Sequence, residues 1–235
     1  MDWIDEVRAR LEPVTGEVLL DRSTVLVVLA GALLVVAVGP LWQVLRLAVT
    51  LVHELGHAIV GLAVGRRFTG FVLRGDMSGH AVTVGRSRGI GRVVSTWAGY
   101  PAPAVVGAGM AWVAGRGWSG AFISGVLVIL LFALVRVRSA LTLLVMLVAL
   151  LATAALWWWR DDVLQAQVLV GTGIVLVVGA WRHLAAVAGS PDRASDPGVL
   201  ASLTHVPRVI WNLTFAAVCA GATWLVAIEV VTALR

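Results

Sequence analysis

Seven apolar runs divide this chain, at roughly 23–39, 41–64, 93–115, 119–137, 139–159, 163–182 and 207–233. A helix that crosses a bilayer needs about 20 mostly apolar residues, because each residue rises only about 1.5 Å through a hydrocarbon layer about 30 Å thick. The runs have that length, and apolar stretches of this kind pair their own backbone groups as helices. The first is short and stops at Gly39-Pro40, so the first two can form one broken unit. Hydrophobic residues make up 60% of the 235 and charged ones 13%, against about 45–50% and about 25% in soluble domains. The excess is spread along the chain, which reads as an all-α polytopic membrane protein of about six or seven transmembrane helices. Residues 1–22 are charged and amphipathic and read as a cytoplasmic N-terminal segment, with no cleavable signal peptide expected. Residues 23–235 read as a single membrane-embedded domain.

All 18 basic side chains are arginines. They flank the apolar runs instead of forming one dense patch, which speaks for membrane topology and against a nucleic-acid partner. With the N-terminus in the cytoplasm, fourteen fall on the inner side and three (Arg116, Arg160 and Arg235) on the outer, with Arg46 left inside a span. That bias satisfies the positive-inside rule. The one cysteine, Cys219, lies in an apolar run, so neither a disulfide framework nor a cysteine-based zinc site is expected.

Two inner loops carry more than a turn. In residues 65–92, Phe68–Leu73 and His80–Val84 alternate as short strands around Gly75-Asp76-Met77-Ser78-Gly79, the pattern of a small membrane-associated hairpin. Residues 183–206 are the second polar insertion.

Within the second apolar run stands His53-Glu54-Leu55-Gly56-His57. On a helix, residues four apart lie about 40° apart around the axis and roughly 6 Å along it, so both imidazoles reach one zinc ion. Glu54 beside them suits a general base for the water bound there. A charged residue near the bilayer centre costs at least about 2.5–3.5 kcal/mol, so three polar groups in one turn of an apolar helix ask for a function. A catalytic zinc usually takes three protein ligands and one open position. The inner-side candidates for the third are Asp76, His80, His183, Asp192, Asp196 and His205. Asp196, in Ser195-Asp196-Pro197-Gly198, has the best context, but Asp before Pro is equally a helix N-cap with Pro197 at the first helical position. Ligand and cap both stand at this point.

Other polar residues draw plainer readings. Arg46 shares the helix face of His53 and either pairs with a carboxylate, lines a polar route or snorkels to the outer interface. His80 reads as a solvated strand residue, and His183 and His205 as interfacial groups in headgroup-level water. Gly107, Gly109, Gly115, Gly171 and Gly173 read as helix-packing positions.

These residues together resemble the site-2 protease family of intramembrane zinc metallopeptidases, the M50 class, and within it the compact M50B-like bacterial branch. His53-Glu54-Leu55-Gly56-His57-Ala58 with Gly61-Leu62 and Gly65-Arg66-Arg67 is similar to the first motif of that branch. Gly99-Tyr100-Pro101-Ala102-Pro103 is similar to the second, and Ser195-Asp196 with Leu200, Leu203-Thr204, Pro207 and Trp211 to the third. The resemblance implies a bacterial multi-pass cell-membrane protease with one Zn2+ held by His53, His57 and Asp196 and with Glu54 as base. It implies transmembrane segments of other membrane proteins as substrates, presented as an added strand along Phe68 to Val84, in contact with membrane lipid and opening to the cytoplasm. The chain departs from the better-known members at two points. No asparagine follows Pro101-Ala102-Pro103, Asn212 being the only one in the chain, and Asp196 is followed by proline. These departures bear on oxyanion stabilisation and substrate class more than on the metal site. Two other readings compete: a catalytically silent homologue that scaffolds membrane partners, and a metal or solute transporter. The intact Glu54 weighs against the first, and the scarcity of acidic groups in the other spans against the second.

Overall fold

The computed structural model describes residues 3–14, 20–76, 78–159 and 161–235. Arg160, Met77 and parts of the N-terminal segment, all used in the sequence reading, lie outside the described residues. In chain order the elements are α1 (Trp3–Leu11), α2 (Arg22–Ala37), α3 (Gly39–Ala63), β1 (Arg67–Leu73), β2 (Gly79–Val84), α4 (Ile90–Trp97), α5 (Pro101–Ala114), α6 (Ser119–Leu134), α7 (Ala140–Trp158), α8 (Asp162–Ala188), α9 (Asp196–Thr204) and α10 (Arg208–Leu234). Helices α3, α7, α8 and α10 are long and apolar enough to cross a membrane, and α2, α5 and α6 are shorter apolar helices.

The broken unit expected at Gly39-Pro40 is present. Val38 is extended (φ −85°, ψ 109°), and Pro40 sits in the first turn of α3, where a missing N–H costs nothing. The single run expected over 93–115 is instead two helices, because Pro101 and Pro103 cannot donate to the turn before them. The break at 98–100 sets Gly99 and Tyr100 against α3.

Small residues let the helices close. A Cβ built on Gly107 would lie 2.4 Å from the Gly173 carbonyl oxygen, so α5 and α8 meet backbone to backbone. Ala104, Ala108 and Ala111 extend that seam onto Val177, Ala180, Cys219 and Ala222. By contrast, Gly109 faces open space and takes no part.

The hairpin strands fall within one residue of their expected bounds and pair antiparallel, with Phe71 opposite Ala81 and Val72 opposite His80. The outer edge of β1 is held by the α6–α7 turn: the Phe71 N–H donates to Arg136 O (3.1 Å) and the Arg138 N–H to Phe71 O (3.2 Å). Leu73 N–H donates to the fully buried Thr142 hydroxyl at 2.7 Å. Gly70, at φ 152°, leaves room for the Arg138 guanidinium, which donates to the Thr69 carbonyl at 2.7 and 3.1 Å. Residues 68–84 are thereby fixed at one end of the bundle, with the free edge of β2 turned towards a cavity.

The N-terminal segment and the hairpin, both expected on the inner side, lie at opposite ends of the α6–α7 pair. The Val14 N–H donates to Gly117 O (3.0 Å), and the Arg10 guanidinium lies 3.8 Å over the Trp157 ring and donates to the Trp157 carbonyl. These partners stand at the end of the bundle opposite the hairpin. The reason is the path of α3. It starts with Trp42 under the Arg182 guanidinium (4.3 Å) and ends with Val64 against Gly91, so both its ends lie near the hairpin end. Length and apolarity license a crossing but do not force one.

Candidate metal centre

Helix α3 sets His53 and His57 one turn apart, with their Nε2 atoms 3.1 Å from each other. The third member comes from the far side of the chain. Asp196 Oδ2 lies 3.3 Å from His53 Nε2 and 3.2 Å from His57 Nε2. One ligand atom from each of the three residues falls within 4.8 Å of the others.

The approach to Asp196 is shaped by its own loop. The Asp192 carboxylate accepts the Ala194 N–H (2.8 Å), and Arg208 at the start of α10 donates to Ser190 O (2.8 Å) and Ser195 Oγ (3.2 Å). Ser195 then occupies the N-cap position, Asp196 the first helical position and Pro197 the second. The cap role expected for Asp196 therefore falls one residue earlier, and its carboxylate is left for the histidines.

The histidines are oriented from behind. His57 Nδ1 lies 2.8 Å from the Ser95 carbonyl, which only accepts, so Nδ1 carries the proton and Nε2 turns its lone pair to the cluster. Ser95 Oγ donates back to His57 O at 3.2 Å. Tyr100 meets His53 edge-on at 4.9 Å and stacks on Phe215 at 5.1 Å.

These residues fit a zinc ion. Two imidazole nitrogens and a carboxylate oxygen are its ordinary donors. Asp196 Oδ2 is buried without a hydrogen bond among the described residues, as a ligand atom would be. Gly99 keeps the face of the cluster clear, since a Cβ there would stand 2.3 Å from His57 Nε2 and 2.8 Å from His53 Cε1.

Glu54 is 4% exposed, and its carboxylate abuts the backbone of β2, where a Cβ on Gly79 would lie 2.4 Å from Oε1. A cavity of about 860 Å³ opens over the cluster, walled by β2 on one side and by the α8–α9 connection on the other. Arg46 and His80 line it without joining the cluster. Asp76 closes the hairpin turn, accepting from the Ser78 N–H (2.9 Å) and hydroxyl (2.6 Å), which hold its carboxyl below the usual range. His205 takes the left-handed C-cap of α9 (φ 61°).

His183, one of the inner-side candidates, comes to the cavity without joining the cluster. Helix α8 continues to Ala188, beyond the expected end at 182, and carries the His183 ring to 6.4 Å from that of His53. Its Nε2 is buried and has no hydrogen-bond partner among the described residues.

A family model described as Peptidase M50B-like matches residues 26–226. The chain belongs to this family. The match runs from α2 to α10, so it takes in His53-Glu54-Leu55-Gly56-His57, the hairpin, Gly99 to Pro103 and Asp196. The resemblance drawn from the motifs is borne out, and the M50B-like assignment makes this a membrane protease family member. No curated protein and no solved structure matches the chain.

Proposed function

We propose that this M50B-like chain is an intramembrane zinc metalloprotease that hydrolyses peptide bonds in or beside the transmembrane segments of other membrane proteins. The observation that carries the reading is the convergence of His53 Nε2, His57 Nε2 and Asp196 Oδ2 beside the buried carboxylate of Glu54. Held by these three residues, zinc would lower the pKa of a bound water to about 7 and would polarise a peptide carbonyl. Glu54 takes one proton from the water as its oxygen bonds to the carbonyl carbon, then gives that proton to the amine as the carbon–nitrogen bond breaks. The unpaired edge of β2 offers main-chain donors and acceptors to an unwound substrate segment, as strand addition requires.

The topology belongs to the same proposal. In this reading α2, α5, α6, α7, α8 and α10 are the crossing helices, and α3, whose two ends both lie near the hairpin end, does not cross. Among the described residues that end carries twelve arginines, against Arg8, Arg10, Arg22, Arg116 and Arg235 at the other. The bias supports a topology in which the site opens to the cytoplasm, with α1 and the end of α10 on the outer side.

The test uses full-length protein in liposomes with a Leu/Ala-rich transmembrane peptide interrupted by Gly-Pro. Wild type is expected to cut it, and Glu54→Gln to cut about 10²–10⁴-fold more slowly with its zinc retained. Equal cleavage by the two proteins would sink the mechanism.

A further inference from the structure

Peptide hydrolysis turns a carbonyl oxygen into an oxyanion, and enzymes aim a fixed hydrogen-bond donor at it, whose removal costs about 10²–10³ in rate. Asn212, the only asparagine in the chain, is on α10 and does not line the cavity. We propose that His183 is this donor, giving an Nε2–H hydrogen bond to the scissile carbonyl oxygen as charge develops on it. The proposal rests on the protease reading above.

His183 lines the cavity that holds His53, Glu54, His57 and Asp196. Its ring centroid lies 6.4 Å from that of His53, so a group bound at the cluster comes within reach of both rings. Its Nε2 is buried and lacks a hydrogen-bond partner among the described residues. A buried donor left unpaired is costly, and one kept at the wall of a reaction cavity is completed when substrate arrives.

The position relative to Glu54 is the one the chemistry needs. Glu54 abuts Gly79 on β2, whereas His183 belongs to α8, on the other wall of the cavity. Water activated at Glu54 attacks one face of the carbonyl. The oxygen that gains charge is best held away from that carboxylate, because like charges repel. Packing does not explain the histidine, since Gly179, Ala180, Leu184 and Val187 supply the buried contacts of this part of α8. His183 keeps its own proton throughout, and both protons of the cleavage step pass between water, Glu54 and the leaving amine.

The test compares wild type, His183→Phe, His183→Gln, Tyr100→Phe and Glu54→Gln in liposomes. The substrate is the Gly-Pro-interrupted peptide, and a phosphinic analogue of it mimics the tetrahedral species. His183→Phe fills the space but donates nothing. It is expected to lower kcat about 100-fold, with KM little changed and zinc content at the wild-type level, and to weaken the phosphinic analogue by a similar factor. His183→Gln keeps an N–H donor and is expected to recover part of both. Wild-type kcat in His183→Phe, zinc loss in either His183 variant, equal losses in both, or a loss confined to Tyr100→Phe would each overturn the proposal. Cleavage abolished by Glu54→Gln but untouched by His183→Phe removes this inference and leaves the protease reading standing. A wild type that cuts nothing defeats the protease reading, and the phosphinic affinities then decide His183 by themselves.

Discussion

Asp196 Oδ2 lies 3.2 Å from His57 Nε2, although the two residues belong to α9 and α3, with α8 and the whole hairpin between them in the chain. Everything that brings α9 to α3 therefore acts on the candidate metal site.

Asp196→Ala should empty that site. Wild type is expected to hold about one zinc per chain, as a three-ligand centre does, and Asp196→Ala and His57→Ala well under half of that. Metal analysis of protein purified from detergent reads this directly. Full zinc in both variants would show that the cluster is not the site.

Two glycines separate binding from chemistry. In Gly99→Ala the new methyl would stand 2.3 Å from His57 Nε2, so zinc content should fall. In Gly79→Ala it would stand 2.4 Å from Glu54 Oε1, so the Glu54 carboxylate is displaced while His53, His57 and Asp196 stay in place. Gly79→Ala should keep its zinc and lose roughly tenfold or more in kcat, about 1.4 kcal/mol of barrier. Zinc loss in Gly79→Ala with none in Gly99→Ala would reverse the assignment.

Thr142→Val keeps the shape of a fully buried side chain and removes the acceptor of the Leu73 N–H. An amide left unpaired there should destabilise the fold by about 1–3 kcal/mol. Hydrogen exchange at Leu73 should accelerate, and cleavage should weaken through the loosened hairpin, with zinc unaffected. Unchanged exchange at Leu73 would mean that β1 is held by the α6–α7 turn alone.

The two ends of the bundle can be told apart by labelling. The native Cys219 is 1% exposed, so a single added cysteine reports cleanly. In inverted membrane vesicles a membrane-impermeant maleimide should reach Arg88→Cys and miss Glu12→Cys; in intact cells the order should reverse. Labelling of both from one side would restore the N-terminus to the side of the hairpin.

Much of this protein is legible along the chain, because it depends on neighbours in sequence. The apolar runs mark the helices, Gly39-Pro40 marks the break between α2 and α3, and alternation marks the two strands to within one residue. The His53 and His57 pairing follows from helical geometry alone. Only packing between distant elements decided the rest. It brought Asp196, of six inner-side candidates, to the two histidines, moved the cap to Ser195, set His183 at the wall of the cavity and put Arg10 and Val14 at the end of the bundle away from the hairpin. Hydrophobic periodicity encodes whether a segment is buried and in what conformation. It does not encode which segments touch, because that is settled by close contacts such as Gly107 on Gly173, where the atoms that meet come from far apart in the chain.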